Sequence, residues 1–299
     1  MKMKKLHFAV IISLLIGFTL TQFNCLPKTS KTKKLHVFTS ILPQIYFVKK
    51  IGGDRVQVEA LLKPGKNLIT YEPLPAQVIQ LSKADVFFTI GVPFETALLE
   101  KIKSTSKKIT VVDTSAKTKK IPLASHIYIN SHTKTKKILD PHIWLSPILV
   151  KEQASIIYNT LLKKDPQGSQ VYKAGYDKLL TELNNIHREI KSIFAPIKGK
   201  IMLVYHPTFS YFAKEYGLKQ IAIESHGKKI TPSNLKRIII KVKKLGVKTI
   251  FTQPEFSQKN IQTIAKAIKG KVIILNPLNP DYIKSMRNLA ATIKLNMKK

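Results

Sequence analysis

The chain is 299 residues long and carries 51 Lys plus Arg against 17 Asp plus Glu, a formal net charge of +34. A balance this basic raises nucleic acid as a partner, yet only Arg55, Arg188, Arg237 and Arg287 offer the guanidinium fork, and the lysines are spread along the whole chain. Nucleic acid is therefore set aside: a general lysine bias of the source proteome accounts for the charge, with attraction to anionic lipid or polysaccharide surfaces as a secondary consequence, and the single cysteine, Cys25, excludes an intramolecular disulfide.

Residues 1–7 carry Lys2, Lys4 and Lys5, and residues 8–20 form a nearly unbroken apolar run. A basic start followed by an apolar run too short for a comfortable membrane span is an export signal, assigned to residues 1–25. Cys25 follows it and resembles the lipidation cysteine of bacterial lipoproteins. Gln22 and Asn24 stand where those proteins usually carry Leu and a small residue, so ordinary cleavage and an uncleaved anchor are the alternatives. Residues 26–34 read as a polar tether. The product is an exported protein of the periplasm or cell envelope.

Beyond the tether the length suits two modest lobes around separate cores. Apolar runs at 35–39, 56–62, 86–90 and 109–112 read as buried parallel strands with helical patterns between them. After a break, strands at 201–205, 220–223, 249–251 and 272–275 alternate with or precede helices at 208–215, 232–245, 258–268 and 282–293. Residues 149–194 are helical in pattern except at Asp165-Pro166, where Pro166 would open a second, long helix capped by Asp165. The predicted class is α/β: two lobes, 35–147 and 196–299, each a mostly parallel sheet flanked by helices, joined through segment 148–195 by one long rigid helix. Ligands of such sheets sit beyond the carboxyl ends of the strands.

Residues 140–147 read DPHIWLSP. His142 is framed by an acid and the sole tryptophan, just ahead of a helix opened by Ser146-Pro147. An imidazole held by a turn can present a nitrogen to a metal. Equally, the segment can be a capped loop in which Asp140 starts the turn and Trp144 packs. His206 follows a strand of the second lobe, so the two histidines would face each other across a cleft. No nucleophile-elbow serine, phosphate-cradling glycine run or cysteine nucleophile is present after the signal, and Gly52-Gly53 and Gly65 read as turn glycines, which argues against an enzyme.

The blocks TSILPQIYFVKKIGGDRVQVEALLKPG (39–65), TYEPLPAQ, KADVFFTIGVPFE, DPHIWLSP, YHPTFSYFAKEYGL, TQPEFSQKNIQTIA and NPLNPDYIKSM follow one another in order. Together they resemble the solute-binding proteins of bacterial zinc and manganese ABC importers. The resemblance implies a metal bound between the lobes and delivered, by a monomer, to a membrane permease and its ATPase. It also implies His142 and His206 as ligands. Ile69 stands where the family has a third histidine, preceded by Leu68 where it has proline, and Asn276 stands where it often has aspartate.

Isoleucine has no donor atom, and an amide oxygen is a weak, neutral ligand. Zinc takes three or four protein ligands, while manganese asks for a more oxygen-rich shell, so zinc is the expected ion, manganese less so, and no bound metal is the third outcome. Glu72, Glu255, Glu224 and His226 are the nearest replacements, with Glu72 otherwise bonding within its Pro-rich turn and Glu224 and Glu255 otherwise solvated surface acids. His126 and His132 sit in a Lys-rich loop and read as solvated; His36 and His187, the latter as a surface helix residue, receive no role. Two functions follow: a metal receptor of an importer, or a relative that keeps the fold with lost or altered metal binding and serves as an envelope adhesion or interaction lipoprotein.

Overall fold

The segment Val86–Thr89 reads VFFT and is buried at all four positions, the composition of a parallel strand covered on both faces. The computed structural model describes residues 33–106, 108–123, 138–224 and 231–297. Within it this strand, β3, joins β1 (Leu35–Thr39), β2 (Val56–Ala60) and β4 (Thr110–Asp113) in an all-parallel sheet of order β2-β1-β3-β4. Helices α1 (Leu42–Gly52), α2 (Pro75–Ser82) and α3 (Glu95–Thr105) are its crossovers.

The second sheet repeats this order with β5 (Ile201–Val204), β6 (Lys219–Ala222), β7 (Thr249–Thr252) and β8 (Lys271–Ile274), arranged β6-β5-β7-β8. Its helices are α6 (Ser210–Glu215), α7 (Pro232–Lys244), α8 (Gln258–Ala267) and the closing α9 (Tyr282–Met297). Between the lobes run α4 (Pro147–Lys164) and α5 (Ser169–Phe194), the latter 26 residues long. The structure thus has the two α/β lobes and long connecting helix expected from the sequence. The export signal, Cys25, most of the tether, His126, His132 and His226 lie outside the described residues.

Among the described residues the cores do not divide one to each lobe. One continuous apolar interior takes in Phe87 and Phe88 of the first sheet, Leu179, Leu183, Ile186 and Ile190 of α5, and Met202 and Val204 of the second sheet. Leu203, between those last two, points to the opposite face, where Ile238, Ile250 and Ile264 form a smaller cluster. The period-two alternation of a strand thus divides β5 between the two clusters.

The expectation that Asp165 caps the long helix is corrected. Its side chain makes no cap; Pro166–Gly168 forms a separate 3-10 turn, and α5 starts at Ser169. The Asp165 carboxylate instead accepts from Arg55 Nε at 2.6 Å and Nη2 at 2.8 Å, and from the Tyr172 hydroxyl at 2.6 Å. A guanidinium fork satisfies a planar carboxylate better than a lone backbone N–H can. Tyr46 and Lys50 of α1 both donate to Glu182 of α5, at 2.8 and 2.7 Å. At Gly175 the backbones of α1 and α5 approach closely: a Cβ there would stand 2.3 Å from the Lys50 carbonyl oxygen. Arg287 of α9 holds Glu189 of α5 from the second lobe through two nitrogens, at 2.7 and 2.9 Å.

Each chain path leaves β1 or β5 for one side of its sheet and then turns to the other side, so the order reverses between β1 and β3 and between β5 and β7. The crevice beyond such a reversal is where an open α/β sheet holds its ligand.

Candidate metal centre

Asp140 is fully buried, and its Oδ1 accepts both the His142 backbone N–H at 2.9 Å and the ring at Nδ1, 2.7 Å away. The turn inferred from the sequence is therefore real, and it also orients the imidazole. Ser146 accepts from the Leu149 N–H and Pro147 opens α4, as the capped-loop reading required. The loop is anchored from the second lobe as well: the Tyr211 hydroxyl donates to the Asp140 carbonyl at 2.8 Å, and Trp144 Nε1 donates to the Pro277 carbonyl at 2.9 Å.

His206 follows β5, and its Nδ1 lies 2.6 Å from Glu224 Oε2. Glu224 follows β6 and is only 2% exposed, so its reading as a solvated surface acid is corrected. The His206 ring packs at 5.2 Å from Phe256, and the two histidine rings face each other with centroids 5.6 Å apart at 73°.

An ionised carboxylate can only accept, so each Nδ1 carries the hydrogen, and the neutral form of such a ring has its lone pair on Nε2. This is the tautomer a metal ligand needs, with a carboxylate behind it to orient the ring and raise its basicity. Burial chiefly holds His206 below the ordinary histidine pKa, with the neighbouring His142 acting the same way and the Glu224 hydrogen bond opposing both. The ring is thus ready to bind at neutral pH without first losing a proton. The buried carboxylates of Asp140 and Glu224 also offset a divalent charge locally, in a chain that is otherwise strongly basic.

Between the rings is a cavity of about 20 Å³, lined by Ile69, His142, His206, Thr208, Glu255 and Phe256 among others. That is room for one water-sized body. Glu255 follows β7 and is partly enclosed here, which corrects its reading as a solvated surface acid; burial raises its carboxyl pKa, with nearby His142 acting against the rise. Ile69 forms the wall, its N–H donated to Asn67 Oδ1 at 2.8 Å, and offers no donor.

Asn276 is exposed, outside the lining, and its Oδ1 accepts the Leu278 N–H at 3.0 Å, so its oxygen is directed to its own turn. Glu72 is exposed and also outside the lining. Tyr71 and Gln77 make the hydrogen bonds of its turn, the role the sequence had suggested for Glu72. His36 lies within β1 beside Glu59, 3.4 Å away. His187 is partly buried, with Nδ1 3.3 Å from the Tyr216 hydroxyl, and is not the surface residue expected. Neither lines the cavity. Among the described residues, no group of three or more His, Cys, Asp or Glu is placed to hold a metal ion.

Sequence reasoning missed Glu224 as the support of His206. The available signal was its place at the carboxyl end of an apolar strand, where a surface acid is out of keeping with its surroundings. It also missed the bond between Trp144 and Pro277, which no local pattern encodes.

The family model described as zinc-uptake complex component A, periplasmic, matches residues 37–295. The chain is 29% identical to the zinc-binding protein AdcA of Streptococcus pyogenes serotype M6, over 99% of this chain and 62% of that protein. It therefore spans less than two thirds of the length of that relative. A crystal structure of ZnuA superposes with a TM-score of 0.81 at 33% identity, covering 89% of this chain and all of that one. The laminin binding protein Lmb of Streptococcus agalactiae, described as bifunctional with adhesin and metal transporting activity, gives 0.76 at 26% identity, covering 89% and 100%.

Proposed function

We propose, from the premise that this chain belongs to the zinc-uptake complex component A family, that it is the extracytoplasmic substrate-binding protein of an ABC importer. It captures a transition metal ion, zinc before manganese, in the cleft between its lobes and delivers it to a permease driven by an ATPase. It is not an enzyme. It is exported to the cell envelope, held there through Cys25 as a lipid anchor, and works as a monomer. Among the described residues no helix is long and apolar enough to cross a membrane.

What supports this role above all is the opposed pair His142 and His206, each with Nδ1 on a buried carboxylate and Nε2 left for the cleft. His142 and His206 are the metal ligands, and Glu255 is the nearest carboxylate able to join them. Glu72 and Asn276 are not supported as ligands. Calorimetric titration of zinc into the purified protein tests the role. Binding in the parent that disappears in the His142→Ala, His206→Ala double variant is the expected result; undetectable binding in the parent overturns it.

A second reading is an envelope adhesion or interaction protein that keeps the fold without tight metal binding. It is favoured because, among the described residues, no group of three or more His, Cys, Asp or Glu is placed to hold a metal ion, and by the adhesin activity in the description of Lmb. The same titration separates the two.

A further inference from the structure

His142 and His206 also line a second, larger cavity of about 450 Å³, which shares Leu68 and Ile69 with the small one. It extends into the first lobe past the end of β3 and the start of α3. Its walls are largely aliphatic, with Leu68, Ile69, Val92, Leu99, Ile138 and Leu139 among them. Ile138 and Leu139 remain 50% and 52% exposed at this cavity, large side chains left in water. The acids in the lining are engaged by the protein: Glu95 accepts from the Ile90 and Gly91 N–H groups at 2.9 and 2.8 Å, and Asp113 Oδ1 from the Ser115 N–H at 2.8 Å.

A volume of this size, apolar with a few polar groups, suits a small organic molecule; an ion needs far less room. Aliphatic walls offer nothing to a hydrated cation. Two imidazoles meanwhile leave two positions of a tetrahedral ion open. Resting on the receptor reading above, we propose that the cleft takes its transition metal as a complex with a small chelator that has an apolar body. The chelator's donors complete the metal shell on the side where Ile69 supplies none, and its body fills the aliphatic cavity. No bond of the chelator is made or broken; capture exchanges water on the metal for the two histidine nitrogens.

The test is calorimetry on the full chain with four probes: zinc alone, the 1:1 zinc complex of 1,10-phenanthroline, the 1:1 zinc complex of ethylenediamine, and phenanthroline alone. The two complexes present two nitrogen donors each, and only the first has an apolar body. The phenanthroline complex is expected to bind at least tenfold more tightly than zinc alone, and the ethylenediamine complex to gain much less. Thr96→Trp and Leu139→Trp each plug the cavity from an exposed position. Both should abolish the advantage while zinc alone binds as before.

Equal or weaker binding of the phenanthroline complex overturns the inference, as does an advantage that survives both plugs. Phenanthroline binding equally well without zinc overturns it too. If zinc alone binds through the histidines but no advantage appears, only the chelator is lost. If no zinc-containing probe binds, the receptor reading falls as well.

Discussion

Trp144, in the loop that carries His142, donates its indole N–H to the carbonyl of Pro277 in the opposite lobe, 2.9 Å away. Both residues are buried, so the bond joins the two walls of the cleft out of water. Trp144→Phe keeps an aromatic ring but leaves the Pro277 carbonyl without this donor. Losing one partner of a buried bond costs about 1–3 kcal/mol. Urea denaturation should register that loss with an unchanged slope, and zinc affinity should fall as the His142 loop loosens.

Glu224 sets which nitrogen of His206 faces the cavity. In Glu224→Gln the amide can donate to Nδ1, which would move the ring hydrogen to Nε2 and block the metal lone pair. Changes to such supporting partners typically cost about 10–100-fold in metal affinity. Calorimetry should show that drop, with circular dichroism unchanged.

The pH response of zinc binding should follow His206. Burial lowers its pKa from the usual 6.5, so the folded ring is neutral at and above that value. Between 6.5 and the lower folded pKa the unfolded chain binds more protons, so stability of the metal-free protein falls as pH drops through this window. Zinc affinity should hold near neutrality and fall in acid, as protons compete for the imidazoles. Titrations and denaturation curves across pH 4–8 measure both.

At Asp165, the Arg55 hydrogen bonds come first among the causes that hold the carboxyl below its usual value of 3.8. A depressed folded pKa means stability fully present above that value and lost as pH falls through the folded pKa. Asp165→Asn should lower stability at pH 7 by about 1.5–3 kcal/mol, the range for a hydrogen bond to a charged group. The difference from the parent should shrink in acid, which denaturation from pH 7 down to 2 would reveal.

Ile69 and Asn276 should respond oppositely to repair. Ile69→His sets an imidazole in the cavity wall and should raise zinc affinity at least tenfold. Asn276→Asp should change it little, because the side-chain oxygen is turned to the Leu278 N–H and lies outside the cavity. Titration of each single variant checks the contrast.

Much of the architecture was legible because parallel strands buried on both faces leave unbroken apolar runs, as Val86–Thr89 does. His142 was legible for a similar reason, its turn being written in adjacent residues. Glu224 and Asp165 were misread because their partners are set by tertiary packing. Glu224 and His206 are separated by 18 residues and Asp165 and Arg55 by 110. An acid next to a strand end looks the same in sequence whether it meets solvent or an imidazole. The interior shared by the two lobes was equally invisible, since alternation along β5 tells which residues share a face and nothing of what covers that face.

That common interior bears on how the protein can tell ions apart. The long helix α5 lies against α1 of the first lobe and α9 of the second, so spreading the lobes would draw apolar surface off it and expose that surface to water, at a cost that grows with the area opened. A body built this way behaves more like a fixed socket than a jaw. On the receptor reading, discrimination then falls to the donors, charges and shape already in the cleft.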